Sequence, residues 1–267
     1  MPNYIAHSPR QSIVGFDSAW TDKPSAPGAV SIIRIQEHET IFVQPELASF
    51  DQALTAIKAE RDRSDLCLVA LDQPTIVPNL TSMRPVDRVA ASLISWLGGG
   101  VQPANRSKKG MFDDEAPLWR FKQKLDAIEH PEEARRAQAG LYLIEVFPAL
   151  ALPSIAERFH VRLGAPRYNP ARRKTFKIGD WLAVLDAVSA YARLLTLEHV
   201  AIWCEEQRCS SPRKSDQDKL DSVICALVGY SWLSLPRTAL NSPEFHGHPR
   251  VTFPAAVRIR RVTASRS

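Results

Sequence analysis

Two short apolar runs in this sequence each end in an aspartate, and a segment with helical spacing lies between them. The first run leads to Asp17 and the second to Asp72. Apolar, β-branched runs of this length, followed by polar turn residues, are typical of buried strands. A helical crossover that returns to a buried strand favours parallel pairing of the two strands. The sequence therefore predicts a sheet with a carboxylate at the exit of each of two parallel strands.

Apolar periodicity along the rest of the chain predicts an α/β fold, in which helices flank a mixed five-stranded sheet. Short connections between the first three strands favour antiparallel hairpins, and the later strands are expected to pair in parallel. The predicted strands span residues 13–20, 28–36, 39–44, 66–72 and 141–147. The predicted helices span residues 49–61, 87–97, 149–159, 179–195 and 216–233, and residues 199–204 are ambiguous between strand and helix.

The whole chain, residues 1–267, is expected to form a single domain with two departures from the regular pattern. Residues 73–132 are interrupted by prolines and contain three consecutive glycines, which predicts a helical insertion or cap. Residues 245–267 carry five arginines and no acidic residue, so we expect a basic C-terminal extension.

Basic residues gather in clusters, although the net charge is only +5. The clusters are residues 106–109, residues 172–177 and the C-terminal extension. Each cluster alone is compatible with a solvated loop, but three of them in a chain with buried acids favour contact with a phosphate backbone. We therefore expect a nucleic-acid partner, either DNA or RNA. The candidate substrate-binding residues are Arg172, Arg173, Lys174 and Lys214.

Cysteine usage and hydropathy predict a cytoplasmic protein. The four cysteines form no CxxC pair and no dense disulfide framework. No apolar stretch reaches the length of a membrane span, and residues 1–11 lack the apolar core of a secretory signal. We therefore expect no association with a membrane.

Further acids join the pair at the strand ends. Glu145 lies among leucines in the last predicted strand. Asp221 borders the apolar stripe of the last predicted helix, and Asp218 lies about one turn earlier. An ionised carboxylate is costly to bury unless it is paired or bound to a cation. Gly15 leaves room beside Asp17 for a ligand or for another backbone.

These acids also have structural alternatives. The aspartates at the strand ends can serve as turn residues. Glu145 can pair with Arg135 or Arg136, and Asp218 can form a capping box with Ser215. Asp221 lies too far inside the last predicted helix to cap it, which favours a functional role for this residue.

A set of carboxylates without a histidine or cysteine cage suits a hard divalent cation. Hydrolysis of a phosphodiester through two metal ions needs such a set. The sequence therefore predicts a site for Mg²⁺ or Mn²⁺. The predicted metal ligands are Asp17, Asp72, Glu145, Asp218 and Asp221, and the predicted catalytic residues are the same set without Asp218.

Four short motifs resemble those of a bacterial and archaeal domain-of-unknown-function family, whose members are described as predicted nucleases with an RNase H-like fold. The motifs are residues 15–20, 71–74, 145–148 and 219–222. The resemblance implies an RNase H-like sheet of five strands, with acids on the first and fourth strands and on the final helix. The sequence departs from the family's usual pattern at Phe147, where tyrosine is frequent, and at Ser222, where alanine is usual.

The function predicted from these features is divalent-metal-dependent hydrolysis of phosphodiester bonds. Two other functions stay open. Residues 17–21 faintly resemble the first phosphate loop of ATP-dependent phosphotransferases of the actin-like or sugar-kinase type, although the glycine that such a loop needs beside its acid is missing. The third hypothesis is a non-catalytic module that binds nucleic acid or protein on the same fold.

Overall fold

The computed structural model describes residues 9–37 and 39–236 and the backbone of residues 257 and 258. Its centre is a mixed sheet in the order β3-β2-β1-β4-β5. The strands are β1 Gln11–Asp17, β2 Gly28–Gln36, β3 Glu39–Ala48, β4 Leu66–Leu71 and β5 Gly140–Val146. β2 pairs antiparallel with β1 and β3, whereas β4 pairs in parallel with β1 and β5. The predicted mixed sheet is confirmed, and a short strand, β6 Val257–Arg258, extends it beside β5.

Helices cover both faces of this sheet. In chain order they are α1 Phe50–Arg63, α2 Pro85–Trp96, α3 Pro117–Leu125, α4 Pro131–Ala134, α5 Pro148–Ile155, α6 Ile178–Leu194, α7 Glu198–Glu206 and α8 Lys214–Ser234. Residues 199–204, which were ambiguous from the sequence, lie in α7. The sequence pattern missed α3 and α4, because their prolines begin the helices, where a missing N–H costs nothing, and do not interrupt them.

Side chains of the strands alternate between two cores. The core under α6 and α8 contains Ile13, Leu68 and Tyr142, and we call this side of the sheet the α8 face. The core under α1 and α3 contains Phe16 and Leu71, and we call this side the α1 face. Residues that are paired in register on neighbouring strands point to the same face. The register therefore also fixes the face of each residue at the strand ends.

Helix α8 lies very close to β1, because small residues line the contact. A β-carbon built on Gly15 would stand 2.0 Å from the carbonyl oxygen of Ser222 and 2.4 Å from the backbone nitrogen of Ala226. Further along, Gly229 faces Ile13, so α8 runs antiparallel to β1. This direction carries the first turns of α8 to the carboxyl end of β1, where Asp17 lies.

One prediction from the sequence concerns residues that the structure does not describe. The basic extension expected at residues 245–267 falls there, apart from the backbone of the two residues in β6. Between residues 9 and 236, the helices that the structure describes include none that is both long and apolar enough to cross a membrane. The four cysteines are free thiols, and three of them are buried in the cores.

Candidate functional site

Asp17 and Asp72 lie side by side at the carboxyl ends of β1 and β4. The two strands are in parallel register up to the pair Phe16 and Leu71, and the amide of Asp72 donates a 2.9 Å hydrogen bond to the carbonyl oxygen of Phe16. Asp17 follows Ile13 and Gly15 on the α8 face, and Asp72 follows Leu68 on the same face. Both carboxylates are therefore directed toward α8. Asp17 is only 5% exposed.

Helix α8 contributes two more aspartates, both of them buried. The phenol of Tyr168 donates a 2.7 Å hydrogen bond to Oδ1 of Asp221, and Nε2 of Gln217 donates a 2.5 Å hydrogen bond to Oδ2. Asp218 forms an ion pair with Lys214, which precedes it by one turn. The first turns of α8 therefore present two carboxylates that already have polar partners.

Electrostatics tie the four aspartates into one group, which we call the aspartate cluster: Asp17, Asp72, Asp218 and Asp221. Burial raises the pKa of Asp17 well above its ordinary value, and the negative charges of Asp72, Asp221 and Asp218 raise it further, while Lys214 lowers it. Burial also raises the pKa of Asp221, to about 6, against the lowering effect of the Tyr168 hydrogen bond and of Lys214. The carboxyl groups of the cluster thus repel one another, and Lys214 offsets part of this repulsion.

Glu145 takes a different position from the one predicted for a metal ligand. It is paired in register with Leu71 and therefore points to the α1 face, opposite to the aspartate cluster. There, Arg84 donates hydrogen bonds of 2.7 and 3.0 Å to its two carboxylate oxygens. Arg84 also binds Asp87, and the amide of Thr75 donates to Glu145 at 3.2 Å. Through its contacts with Arg84 and the amide of Thr75, Glu145 thus fixes the position of the segment that follows Asp72.

One of the two arginines that the sequence suggested for Glu145, Arg135, has other partners. Arg135 donates to the carbonyl oxygens of Trp232 and Leu235 at the end of α8. The amino-acid pattern gave no reason to select Arg84, which lies 61 residues before Glu145 in the sequence.

Further polar contacts hold the two strand ends in place. The indole Nε1 of Trp20 donates to the carbonyl oxygen of Asp72 at 2.9 Å, and Ser18 donates to the side-chain oxygen of Gln73 at 2.6 Å. Ala19 and Trp20 have positive φ angles of 50° and 65°. The predicted first strand therefore ends at Asp17, and the residues up to Trp20 form a turn.

The donor set of the cluster fits a hard cation, but its present geometry is not that of a bound metal. Among the residues that the structure describes, no group of three or more Asp, Glu, His or Cys side chains is arranged to hold a metal ion. Asp218 and Asp221 face Lys214 and Tyr168, so a metal would have to take over these carboxylates from their present partners. Beside them, the buried Oε1 of Gln217 has no hydrogen-bond partner within the described range. An amide oxygen is a ligand that Mg²⁺ and Mn²⁺ accept.

A basic cleft of about 520 Å³ lies beside the first turn of α8. It is lined by Pro170, Ala171, Arg173, Pro212, Arg213 and Lys214. Of the residues predicted to bind substrate, the structure brings Arg173 and Lys214 together here. Arg172 and Lys174 are exposed on the same loop but do not line the cleft. The sequence pattern did not indicate Arg213 or Tyr168 as site residues. Arg213 directly precedes Lys214, and Tyr168 comes shortly before Arg172.

A family model described as "Protein of unknown function (DUF429)" matches residues 15–243. The chain belongs to this family. The part that matches DUF429 contains the whole aspartate cluster, Tyr168 and the basic cleft, so the site lies within the domain that defines the family. No curated protein and no solved structure matches the chain. For this DUF429 member, the reaction must therefore be inferred from the site itself.

Proposed function

We propose that this DUF429 member is a divalent-metal-dependent nuclease that hydrolyses phosphodiester bonds. The observation that carries the proposal is the buried carboxylate of Asp17, which lies among three other aspartates and beside Lys214. Neighbouring buried carboxylates repel each other, and a bound cation relieves this repulsion. A site of oxygen ligands beside a basic cleft is suited to phosphate chemistry.

The arrangement of the acids also supports the proposal. A mixed five-stranded sheet with acids at the ends of the first and fourth strands and on the final helix is what the RNase H-like resemblance implies. In this reading, Asp17 and Asp72 hold Mg²⁺ or Mn²⁺ from the sheet, and Asp218 and Asp221 hold it from α8. The bound ion supplies activation of water and stabilisation of charge on the phosphate. Tyr168 orients Asp221, and the cleft binds the substrate backbone.

A cleavage assay tests this proposal. Single- and double-stranded DNA, RNA and DNA–RNA hybrids are incubated with Mg²⁺ or Mn²⁺ and with EDTA as the metal-free control. We expect metal-dependent cleavage of at least one substrate and its loss in Asp17→Asn. Asp62→Asn, which changes an exposed aspartate on α1, is the matched control and should keep full activity.

Other results of these measurements would contradict the proposal or support one of the two alternative functions. Cleavage that survives unchanged in Asp17→Asn contradicts the proposal. Binding of nucleic acid without cleavage, unaffected by Asp17→Asn, would support the non-catalytic module. A thermal shift on addition of ATP that requires Asp17 would support the phosphotransferase, for which the turn at residues 17–21 offers no glycine.

A further inference from the structure

Lys214 belongs to two neighbouring sites at once. Its ammonium group pairs with Asp218 in the aspartate cluster, and its positive charge lowers the pKa of both Asp17 and Asp221. The same side chain is 45% exposed and lines the basic cleft. Lys214 is therefore the physical link between the acidic and the basic parts of the site.

The other cations of the cleft lack a counter-charge. Arg173 and Arg213 are exposed, and neither guanidinium forms an ion pair with any carboxylate of residues 9–37 or 39–236. Two prolines, Pro170 and Pro212, restrict the backbone on the two sides of the cleft. Guanidinium groups bind phosphate oxygens through paired hydrogen bonds. The volume of the cleft, about 520 Å³, is within the range of small-ligand sites.

The pairing of Lys214 with Asp218 conflicts with metal binding. A divalent ion at the cluster needs the carboxylate oxygens that the ammonium group now holds, and the two cations repel each other. When the metal takes Asp218, Lys214 must turn away, and the cleft is the exposed space that its side chain already lines. The released ammonium group adds a third cation to the two arginines.

We propose that the cleft binds a phosphate of the nucleic-acid backbone and that Lys214 exchanges between Asp218 and this phosphate when a divalent metal binds. The proposal rests on the proposed function for the identity of the metal and of the phosphate carrier. Its consequence is positive coupling: the metal raises the affinity of the cleft for phosphate, and by linkage the phosphate raises the affinity for the metal.

Binding measurements test the exchange without requiring cleavage. Mn²⁺ affinity is measured by calorimetry in the absence of nucleic acid. Affinity for a fluorescein-labelled five-nucleotide oligothymidylate is measured by anisotropy, once in EDTA and once in Ca²⁺, which is a hard cation of the same charge. The variants are Lys214→Met, the double variant Arg173→Ala with Arg213→Ala, and Lys219→Met as a control on the same helix.

The expected results separate the two halves of the proposal. At pH 8.5, where protons compete little with the metal, Lys214→Met should bind Mn²⁺ about tenfold more tightly than the wild type, because no ammonium group competes for Asp218. In the wild type, Ca²⁺ should raise oligothymidylate affinity about tenfold, and in Lys214→Met by less than about twofold. The double arginine variant should lose oligothymidylate affinity in both buffers and keep its Mn²⁺ affinity. Lys219→Met should behave as the wild type.

Several outcomes would overturn the inference. Unchanged or weaker Mn²⁺ binding in Lys214→Met excludes the exchange, because the ammonium group would then not compete with the metal. Unchanged oligothymidylate affinity in the arginine variant excludes the cleft. Displacement of the oligothymidylate by an equimolar amount of ATP excludes a nucleic-acid phosphate as its ligand. By contrast, failure of cleavage with intact coupling between metal and oligothymidylate contradicts only the proposed nuclease function.

Discussion

The carbonyl oxygen of Ser222 lies 2.0 Å from the point where a β-carbon on Gly15 would stand. At Gly15, strand β1 and helix α8 therefore approach each other closely enough for their backbones to touch. Asp17 is two residues beyond this contact on β1, and Asp221 is next to it on α8. The contact thus fixes how closely the two halves of the aspartate cluster approach each other.

A methyl group at Gly15 should separate the two elements. We expect Gly15→Ala to lower the free energy of unfolding by about 3 kcal/mol or more, because the clash is with backbone atoms that cannot rotate away. Urea denaturation measures this loss. Gly179→Ala in α6 is the matched control: its β-carbon meets no atom within 4 Å, and it should be neutral or slightly stabilising. Equal stability of the two variants would contradict the close contact.

The raised pKa values of Asp17 and Asp221 predict that the metal-free protein becomes less stable as the pH rises. A carboxyl group with a higher pKa in the folded state binds its proton more tightly there, so its contribution is present below the unfolded pKa. For Asp221, this contribution is lost as the pH rises from about 3.8 to about 6. Its size is up to about 3 kcal/mol. In EDTA, Asp221→Asn should gain stability over the wild type between pH 4 and pH 7.5.

The control for this pH dependence is Asp62→Asn, which removes an exposed carboxyl group outside the aspartate cluster. Excess Mn²⁺ should reverse the trend, because the metal stabilises the ionised cluster that it binds. A difference between Asp221→Asn and the wild type that stays constant with pH would show that Asp221 titrates normally.

Glu145 should affect stability and leave metal binding unchanged. Glu145→Gln weakens the pair with Arg84, and we expect a loss of about 1–3 kcal/mol in the free energy of unfolding. Its Mn²⁺ affinity should stay within about twofold of the wild type, whereas Asp72→Asn should lose tenfold or more. Calorimetric titration with Mn²⁺ distinguishes the two. A tenfold loss in Glu145→Gln would return Glu145 to the ligand set.

Arg84 should be more costly to replace than Glu145. Arg84→Met leaves Glu145 and Asp87 buried without their shared cation, and breaking a buried pair in this way costs about 3–5 kcal/mol. Thermal unfolding of the two single variants measures the difference. If Arg84→Met is as stable as the wild type, the network does not hold the segment after Asp72.

Tyr168 should control the protonation of Asp221. Its hydrogen bond is the strongest of the effects that lower the pKa of Asp221, so Tyr168→Phe should raise that pKa above its value of about 6. Protons then compete better with the metal, and Mn²⁺ affinity at pH 6.5 should fall by about tenfold. Electron paramagnetic resonance of free Mn²⁺ measures this. The deficit should shrink at pH 8.5, and a deficit independent of pH would assign Tyr168 a purely structural role.

The strands and the main helices could be predicted because their apolar periodicity is local. The face of Glu145 could also have been derived, because parallel register pairs it with Leu71, one residue before Asp72. Reading the register from strand to strand would have placed Glu145 opposite to the aspartate cluster. Grouping the acids by their positions at strand ends ignores the alternation of side chains.

The partners of the acids could not be predicted in the same way. Arg84 and Tyr168 lie in segments without regular periodicity, and they reach their carboxylates across 61 and 53 residues of sequence. The sequence around Arg84 and the sequence around Arg135 do not indicate which of the two arginines contacts Glu145. The position of each arginine depends on how its loop folds back on the sheet. Gln217 lies one turn before Asp221 on α8, so helical spacing was a usable signal for it.

Helix α8 is the last long element of the described chain, and it supplies half of the aspartate cluster as well as the buried stripe that covers one face of the sheet. A nascent chain on the ribosome therefore carries Asp17 and Asp72 before the aspartates of α8 have been made. If the cluster cleaves nucleic acid, the messenger and ribosomal RNA beside the growing chain are exposed only to an incomplete site until α8 has emerged. With this order of elements, the cluster is complete only after α8 has been made.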